Sequence, residues 1–472
     1  MSIFSYDVIV AGGGPTGLCS AVAAARNGAR VLLVERYGFL GGNATISLVG
    51  PWMTFHSTPE NQIVEGLPQE IVRRLEAAGG SLGHVRDTTG YVATVTPFDA
   101  EVLKFVAMEL CEEAGVQLLF HSMITDTICE DGVVKGIVVH NKSGRMELRA
   151  SVVIDATGDG DVAVLAGAEF QQGRESDGLT QPMSLMFRMA GIDLGAVRAY
   201  IAAHPEDFYK RTLLSSLADA PHLSVNGFYS QFQAALASGE VTIPRDMVLF
   251  FQTVRSDEVI VNMTRVQGLR ATDAWELTRA EVELRKQVHQ LVKFFRSRIP
   301  GFAQAYLVAT GAQAGIRESR RIMGDHVLTA EDITEGRHFP DIISRYAYPI
   351  DIHDPLGKGT RTVRLKKGSY ELPYRSLLPR GLDGLLVAGR CLSCTHEALA
   401  AIRTMPSMMA VGQAAGTAAA LAVRDGVPPR QVEIAALHDR LLAQGANLEH
   451  AVLPAGEDAG EEPSGLAAAG TR

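Results

Sequence analysis

The sequence predicts an α/β fold, and three observations carry that reading. Residues 6–11 form an apolar strand that meets Gly12-Gly13-Gly14-Pro15-Thr16-Gly17, then a helix of small residues at 18–27, a second strand at 30–34 and an acid, Glu35. Residues 152–158 and 385–390 repeat the theme of a buried strand running into a glycine turn. Between them the chain changes character, with strands at 184–189, 247–254 and 258–265 that belong to another, larger sheet. Together these imply a Rossmann-like nucleotide-binding unit accompanied by a mixed-sheet unit.

The opening segment has the spacing of a dinucleotide fingerprint: G-x-G-x-x-G between strand and helix, with an acid eighteen residues after the last glycine. Gly12 permits the tight turn, Gly14 lets the backbone approach a pyrophosphate, and Gly17 lets helix and strand pack closely. Pro15 and Thr16 lie in the same turn, where the helix N-terminus offers N–H groups and a partial positive charge to phosphates. Glu35 is placed to accept hydrogen bonds from ribose hydroxyls.

Residues 51–95 read as an irregular insert with short helices, such as 69–78. Residues 97–114 form an amphipathic helix, with Phe98, Val102, Phe105, Val106 and Leu110 near helical spacing. Residues 116–120, 123–130 and 133–140 alternate like the strands of a small meander. In the second half, 277–298 is a long charged helix, and 315–323 and 327–329 read as strands. A small-residue helix follows Pro406, which suits a first helical position, and 432–444 forms another. Residues 453–472 are rich in Gly, Ala, Glu and Pro and read as disordered.

Composition narrows the class. The chain has 472 residues, 44 Lys plus Arg against 53 Asp plus Glu, and a net charge of −9, which argues against a nucleic-acid binder. Five cysteines, an odd and small number, make no disulfide framework and point to a reducing, cytoplasmic setting. The short apolar run at the start meets glycines at once with no basic region before it, so no secretory signal is expected. The longest apolar stretch, 405–423, is mostly Ala with polar interruptions, so it reads as a buried helix and no membrane span is expected.

Six segments resemble a known family. They are the fingerprint through Glu35; Ile154-Asp155-Ala156-Thr157-Gly158-Asp159-Gly160-Asp161; Leu386-Val387-Ala388-Gly389-Arg390; Gly315-Ile316-Arg317-Glu318-Ser319-Arg320-Arg321-Ile322; Tyr348-Pro349-Ile350-Asp351-Ile352-His353; and the run from His396 through Arg403 to Gly412-Gln413-Ala414-Ala415-Gly416. Over roughly residues 5–425 the chain resembles the bacterial FAD-dependent oxidoreductases with a glutathione-reductase-like FAD domain, related to fumarate reductase-type flavoproteins. The resemblance implies a discontinuous FAD-binding domain at 1–180 and 371–430, and an inserted substrate domain with a helical insert at 181–370. A C-terminal helix at 431–452 and the tail would follow.

The resemblance further implies a non-covalent FAD. Its contacts would include Arg36, Gly42 and Asn43 after the acid, Ala156, Thr157 and Gly158, Gly389 and Arg390, and Gly412 on the helix after Pro406. The stretch Gly41-Gly42-Asn43-Ala44-Thr45 lacks the His that covalent relatives use. No second G-x-G-x-x-G is found, which speaks against a disulfide reductase. Gly389-Arg390 stands where aromatic-ring hydroxylases carry Gly-Asp, which speaks against a monooxygenase.

The catalytic candidates are His396 and His353 as acid–base groups and Arg317 and Arg321 as carboxylate clamps. If 315–323 is a strand, Arg317 and Arg321 share one face, while Glu318 and Arg320 share the other. Tyr374 and Arg375 are expected at the same cavity, and His56 at a lid. Cys391 and Cys394 read as structural thiols, and no metal site is expected. The expected activity is hydride transfer between a small-molecule substrate and flavin N5, with reoxidation by oxygen, a quinone or a carrier. The acceptor and the oligomeric state are left open. Two alternatives stand beside it: a flavin-dependent reductase of an activated double bond, and a non-catalytic flavoprotein scaffold or sensor.

Overall fold

The structure is a computed structural model that describes residues 4–448 and 461–463. Its first sheet grows from β1 (Phe4–Ala11), α1 (Pro15–Arg26) and β2 (Val31–Val34). The strands Gln117–Leu119, β2, β1, Gly144–Asp155 and Leu385–Val387 lie side by side and parallel. The first half of Gly144–Asp155 also pairs antiparallel with Val133–Asn141, which pairs with Met123–Glu130; the meander expected over 116–140 thus takes Gly144–Asp155 as its third strand, while Gln117–Leu119 joins β2 instead. Strand ends are in register: Ala11 faces Val34 and Asp155, and Asp155 faces Val387. Glu35 and the turns that begin at Gly12, Ala156 and Ala388 therefore emerge together at the carboxyl edge, where ligands bind in such sheets.

Two helices cross closely above this sheet. An added Cβ on Gly412 would stand 2.3 Å from the Thr16 carbonyl oxygen, and one on Gly416 would stand 2.0 Å from that of Ser20. The helix Met405–Asp425 thus meets α1 backbone to backbone, and the run of Ala along both makes the contact possible. Gly412, expected to touch the cofactor, instead packs against Thr16 at the start of α1.

The second sheet has the strand order Ser224–Gly227, Val248–Gln252, Glu258–Val261, Phe187–Ala190, Tyr306–Thr310. Every pairing in it is antiparallel, a finer point than the mixed sheet expected there, and the turn 253–257 joins one pair of neighbours as a hairpin. The helix Ala274–Arg298 covers it through Ala280, Leu284, Val288, Leu291, Phe294 and Phe295, at the three-and-four spacing of one helix face. Asp273 caps that helix by accepting from the N–H groups of Trp275 and Glu276.

Two expected strands are not formed as read. Of 315–323 only Arg320–Ile322 is strand, paired antiparallel with Phe170–Gln172. Gly315 bridges Ser184, and the Gln181 N–H then draws in the Glu318 carboxylate (2.9 Å), so strand alternation breaks before Arg320. Residues 327–329 make a single bridge from Leu328 to Cys394, and Thr329 instead caps the helix Ala330–Thr334. The C-terminal helix is Ile434–Ala443. Of the tail read as disordered, residues 461–463 pair antiparallel with Arg361–Val363, and the rest lies outside the described residues.

Candidate active site

A cavity of about 740 Å³ runs from the carboxyl edge of the parallel sheet to the antiparallel sheet. At the first end Gly13 N–H donates to Glu35 Oε2 (2.7 Å) and Tyr37 N–H donates to Glu35 Oε1 (3.0 Å). A carboxylate accepts more than two hydrogen bonds, so capacity remains for a diol. No side chain caps α1, whose first-turn N–H groups are free to meet an anion. A Cβ on Gly14 would meet nothing closer than Gly42 Cα at 3.9 Å, so the turn leaves an open cradle. Asp155 holds the opposite wall: it accepts from Thr157 Oγ1 (2.7 Å), Thr157 N–H (3.1 Å) and Ala163 N–H (2.9 Å). Burial raises its carboxyl to about 6. Arg390 donates to Asp159 Oδ1 (2.7 Å) and Ser319 Oγ (2.6 Å) beside Gly158. These residues fit the phosphates and ribose of a dinucleotide.

The other end is lined by Arg245, Arg317, Tyr348, Asp351, His353 and Arg403. His353 lies on the strand Ile350–His353, and its Nδ1 is 3.0 Å from Arg265 Nη2. Its Nε2 is 3.4 Å from Asp351 Oδ2, which also accepts from the Tyr348 hydroxyl (3.1 Å). Gln181 Oε1 ties the cluster together by accepting from His353 N–H and from Arg403, each at 3.3 Å. Burial lowers the His353 imidazole well below its ordinary value, and the charge of Arg317 adds to this. Burial pushes Asp351 up, but His353 and Arg403 outweigh it and hold the carboxyl ionised. Burial, with Asp351 adjoining, pushes the Tyr348 phenol well up.

The family model for FAD dependent oxidoreductases matches residues 7–441. The chain belongs to that family. It is an FAD-dependent oxidoreductase, and FAD is its cofactor. Curated relatives include the thiamine thiazole synthase of Aeropyrum pernix, 33% identical over 175 residues, 34% of this chain and 58% of that one. The digeranylgeranylglycerophospholipid reductase 2 of Methanothermobacter thermautotrophicus is 33% identical over 173 residues, 35% of this chain and 42% of that one. The chain thus spans about half the length of these relatives. Among solved structures, a geranylgeranyl bacteriochlorophyll reductase-like protein of Thermoplasma acidophilum aligns at a TM-score of 0.48 and 14% identity, over 94% of this chain and 85% of that one. No helix among the described residues is long and apolar enough to cross a membrane.

Of the residues expected to hold FAD in this oxidoreductase, most line the cavity. They are Gly12, Gly14, Pro15 and Thr16; Glu35 and Arg36; Gly42 and Asn43; Ala156, Thr157 and Gly158; and Gly389 and Arg390. Gly17 and Gly412 do not, since both serve helix packing: a Cβ on Gly17 would stand 1.8 Å from the Gly12 carbonyl oxygen. Of the four catalytic candidates, His353 and Arg317 line the cavity. Arg321 and His396 lie outside it, correcting the expectation that they meet substrate. Glu318 pairs with Arg321 and also lies 2.9 Å from His396 Nδ1, all three within the protein interior. Arg321 also donates to the Gly173 (2.9 Å) and Cys394 (3.0 Å) carbonyls, so each of its three nitrogens is engaged.

Three further expectations are corrected. Tyr374 donates to the Pro429 carbonyl (2.8 Å), Arg375 pairs with Asp341 (2.9 Å), and His56 bonds Thr94 (3.0 Å), all away from the cavity lining. Cys391 and Cys394 are both buried free thiols, and burial pushes Cys394 up to about 12. Sequence reasoning gave no role to Arg245 or Arg403. Neither sits in a periodic pattern, and both acquire meaning only where the antiparallel sheet meets the loop before the helix Met405–Asp425.

Proposed function

We propose that this enzyme oxidises or reduces a small organic molecule held between the fingerprint and the Asp351 cluster. The observation that carries this is the continuity of one cavity between the two groups of residues. Bound at the fingerprint, FAD would supply a two-electron site that exchanges hydride with substrate at N5 and is reoxidised by oxygen, a quinone or a carrier protein. Glu35 and the first turn of α1 would hold its ribose and phosphates.

The accompanying proton belongs to this chain's own residues. Asp351 reaches the cavity and accepts from the Tyr348 hydroxyl, so it is the carboxylate positioned to take a proton from a substrate O–H or N–H, directly or through that hydroxyl. His353, which also lines the cavity, holds Asp351 in place and is itself held by Arg265 from behind. The test is a spectrum of the purified protein, followed by anaerobic mixing with sugars, hydroxy acids, amines and unsaturated acids. A yellow protein bleached by one class supports the proposal and fixes the direction. A colourless protein that takes up no FAD overturns it.

A further inference from the structure

The arginines of this molecule fall into two kinds. Arg321 is engaged on all three nitrogens, by Glu318 and two carbonyls, and Arg265 on both terminal nitrogens, by His353 and the carbonyls of Gly357, Lys358 and Gly359. Arg317, Arg245 and Arg403 are each engaged on one nitrogen among the described residues. Arg317 donates to the Pro182 carbonyl (2.8 Å), Arg245 to that of Asn262 (2.7 Å), and Arg403 to Gln181 and the Asp351 carbonyl (3.0 Å). A guanidinium carries five N–H donors, so each retains donors, and the Nε atoms of Arg245 and Arg403 are buried with no partner among the described residues. All three line the cavity. Around Arg317 the charges are Arg403, Arg245 and Arg265 against Asp351, while Asp246 faces Arg245. Burial and these three guanidiniums lower Arg317 well below its ordinary value. Like charges are thus held together, enclosed, with too few carboxylates to balance them.

Resting on the proposed function of the same cavity, we propose that its substrate is an organic oxyanion whose carboxylate or phosphate is gripped by Arg317, flanked by Arg245 and Arg403. Guanidinium forks match both groups in bidentate fashion. The arriving charge offsets the mutual repulsion of the cluster, and Asp351 and Tyr348 then stand beside the bond next to the anion. A neutral substrate would leave the three arginines uncompensated.

The test uses the FAD-loaded full chain and reads binding, not turnover. Malonate, inorganic phosphate and the neutral malonamide are titrated by calorimetry at low and high salt, while flavin absorbance is followed in parallel. We expect malonate or phosphate to bind and raise the melting temperature, the tighter of the two naming the anion, and malonamide to do neither. Arg317→Gln should weaken the anion roughly ten- to hundredfold. It should also raise the melting temperature without anion, because it removes a charge held against repulsion, whereas loss of a structural ion pair would lower it. Arg245→Gln, judged by the same two readouts, covers the case in which the first variant does not fold. Equal binding of malonate and malonamide, or undiminished anion binding in a folded Arg317→Gln, overturns the proposal. FAD retained without anion binding rejects the clamp alone, and anion binding without FAD rejects the flavin site alone.

Discussion

Arg265 Nη2 lies 3.0 Å from His353 Nδ1, and a guanidinium can only donate. Nδ1 is therefore the acceptor, and the imidazole proton sits on Nε2, facing Asp351 at 3.4 Å. Both ring nitrogens are occupied, and the ring is held neutral by burial and by Arg317. His353 is thus a positioning residue for Asp351. We expect the pH profiles of kcat/KM for the parent and for His353→Gln to have the same shape between about pH 5 and 8, where a free histidine titrates. The variant should differ in magnitude only. An acid limb present in the parent and missing from His353→Gln would make His353 the base.

The thiols offer a direct probe of burial. Cys19, Cys111, Cys391 and Cys394 are buried, and burial raises each of them, whereas Cys129 is half-buried. The thiolate is the reactive form. A thiol reagent at mild alkaline pH should find one reactive cysteine in the native protein and all five after denaturation. Cys129→Ser should remove the native signal. Rapid native labelling of Cys391 or Cys394 would show them open to redox chemistry.

His222 is fully buried, with Nε2 near Ser224 Oγ (3.3 Å) and Nδ1 without a partner among the described residues. Burial, helped by Arg198, lowers it to about 3. The unfolded chain takes up its proton near pH 6.5 while the folded chain does not, so stability present above that pH is lost as pH falls, by roughly 1.4 kcal/mol per unit. His84, lowered to about 4 by burial, acts in the same direction. Asp155, raised to about 6 by burial, acts oppositely below that pH. The difference between parent and His222→Gln isolates one group. Urea unfolding from pH 7.5 to about 5 should be less steeply pH-dependent in the variant, by about one proton. Parallel curves would place His222 in contact with water.

How much of this was legible beforehand follows the range of each signal. The fingerprint, Glu35 and the two later glycine turns are local patterns, and the in-register strand ends bring them together as read. The fate of Arg317 and Arg321 was not legible. Strand alternation would put them on one face, but the Gln181 N–H pulls Glu318 aside, a contact across 137 positions. His396 departs from its expected place for a related reason: Thr395 caps the helix His396–Ile402, and the first turn then presents His396 to Glu318 instead of the cavity. Arg245 and Arg403 converge on the cavity from distant parts of the chain, and no spacing rule reports such a meeting.

Gly412 tests the contact between the two small-residue helices. A methyl there would stand 2.3 Å from the Thr16 carbonyl oxygen and 3.1 Å from Cys19 Cβ. Gly412→Ala must push the helix Met405–Asp425 away from α1, at a cost of about 1–3 kcal/mol for overpacking. Thr16 lines the cavity, so displacement should also loosen FAD. We expect a lower melting temperature and faster loss of flavin on dilution. Unchanged values for both would mean that the helices are already apart at this point.

The attachment of FAD can be argued from where the nucleophiles lie. Cys391, Cys394 and His396 flank the strand that ends at Val387, and any of them would be a candidate for a covalent bond if it faced the cavity. None does: all three are buried away from the lining, both thiols are held protonated by burial, and Glu318 engages His396 Nδ1. Among the phenols that line the cavity, burial raises Tyr37, Tyr91 and Tyr348 and lifts Tyr229 to about 12, so these four stay protonated and are poor nucleophiles. On the proposed binding mode the flavin would be retained by Glu35, the turn at Gly12 and the helix N-terminus, all of which vanish when the chain unfolds. Glu35→Ala should weaken retention in the native protein, because it removes the acceptor for the ribose. Acid precipitation should leave free FAD in solution and a colourless pellet. A yellow pellet, or a denatured chain heavier by one flavin in a mass spectrum, would show a covalent bond and require one of these side chains to turn toward the cavity.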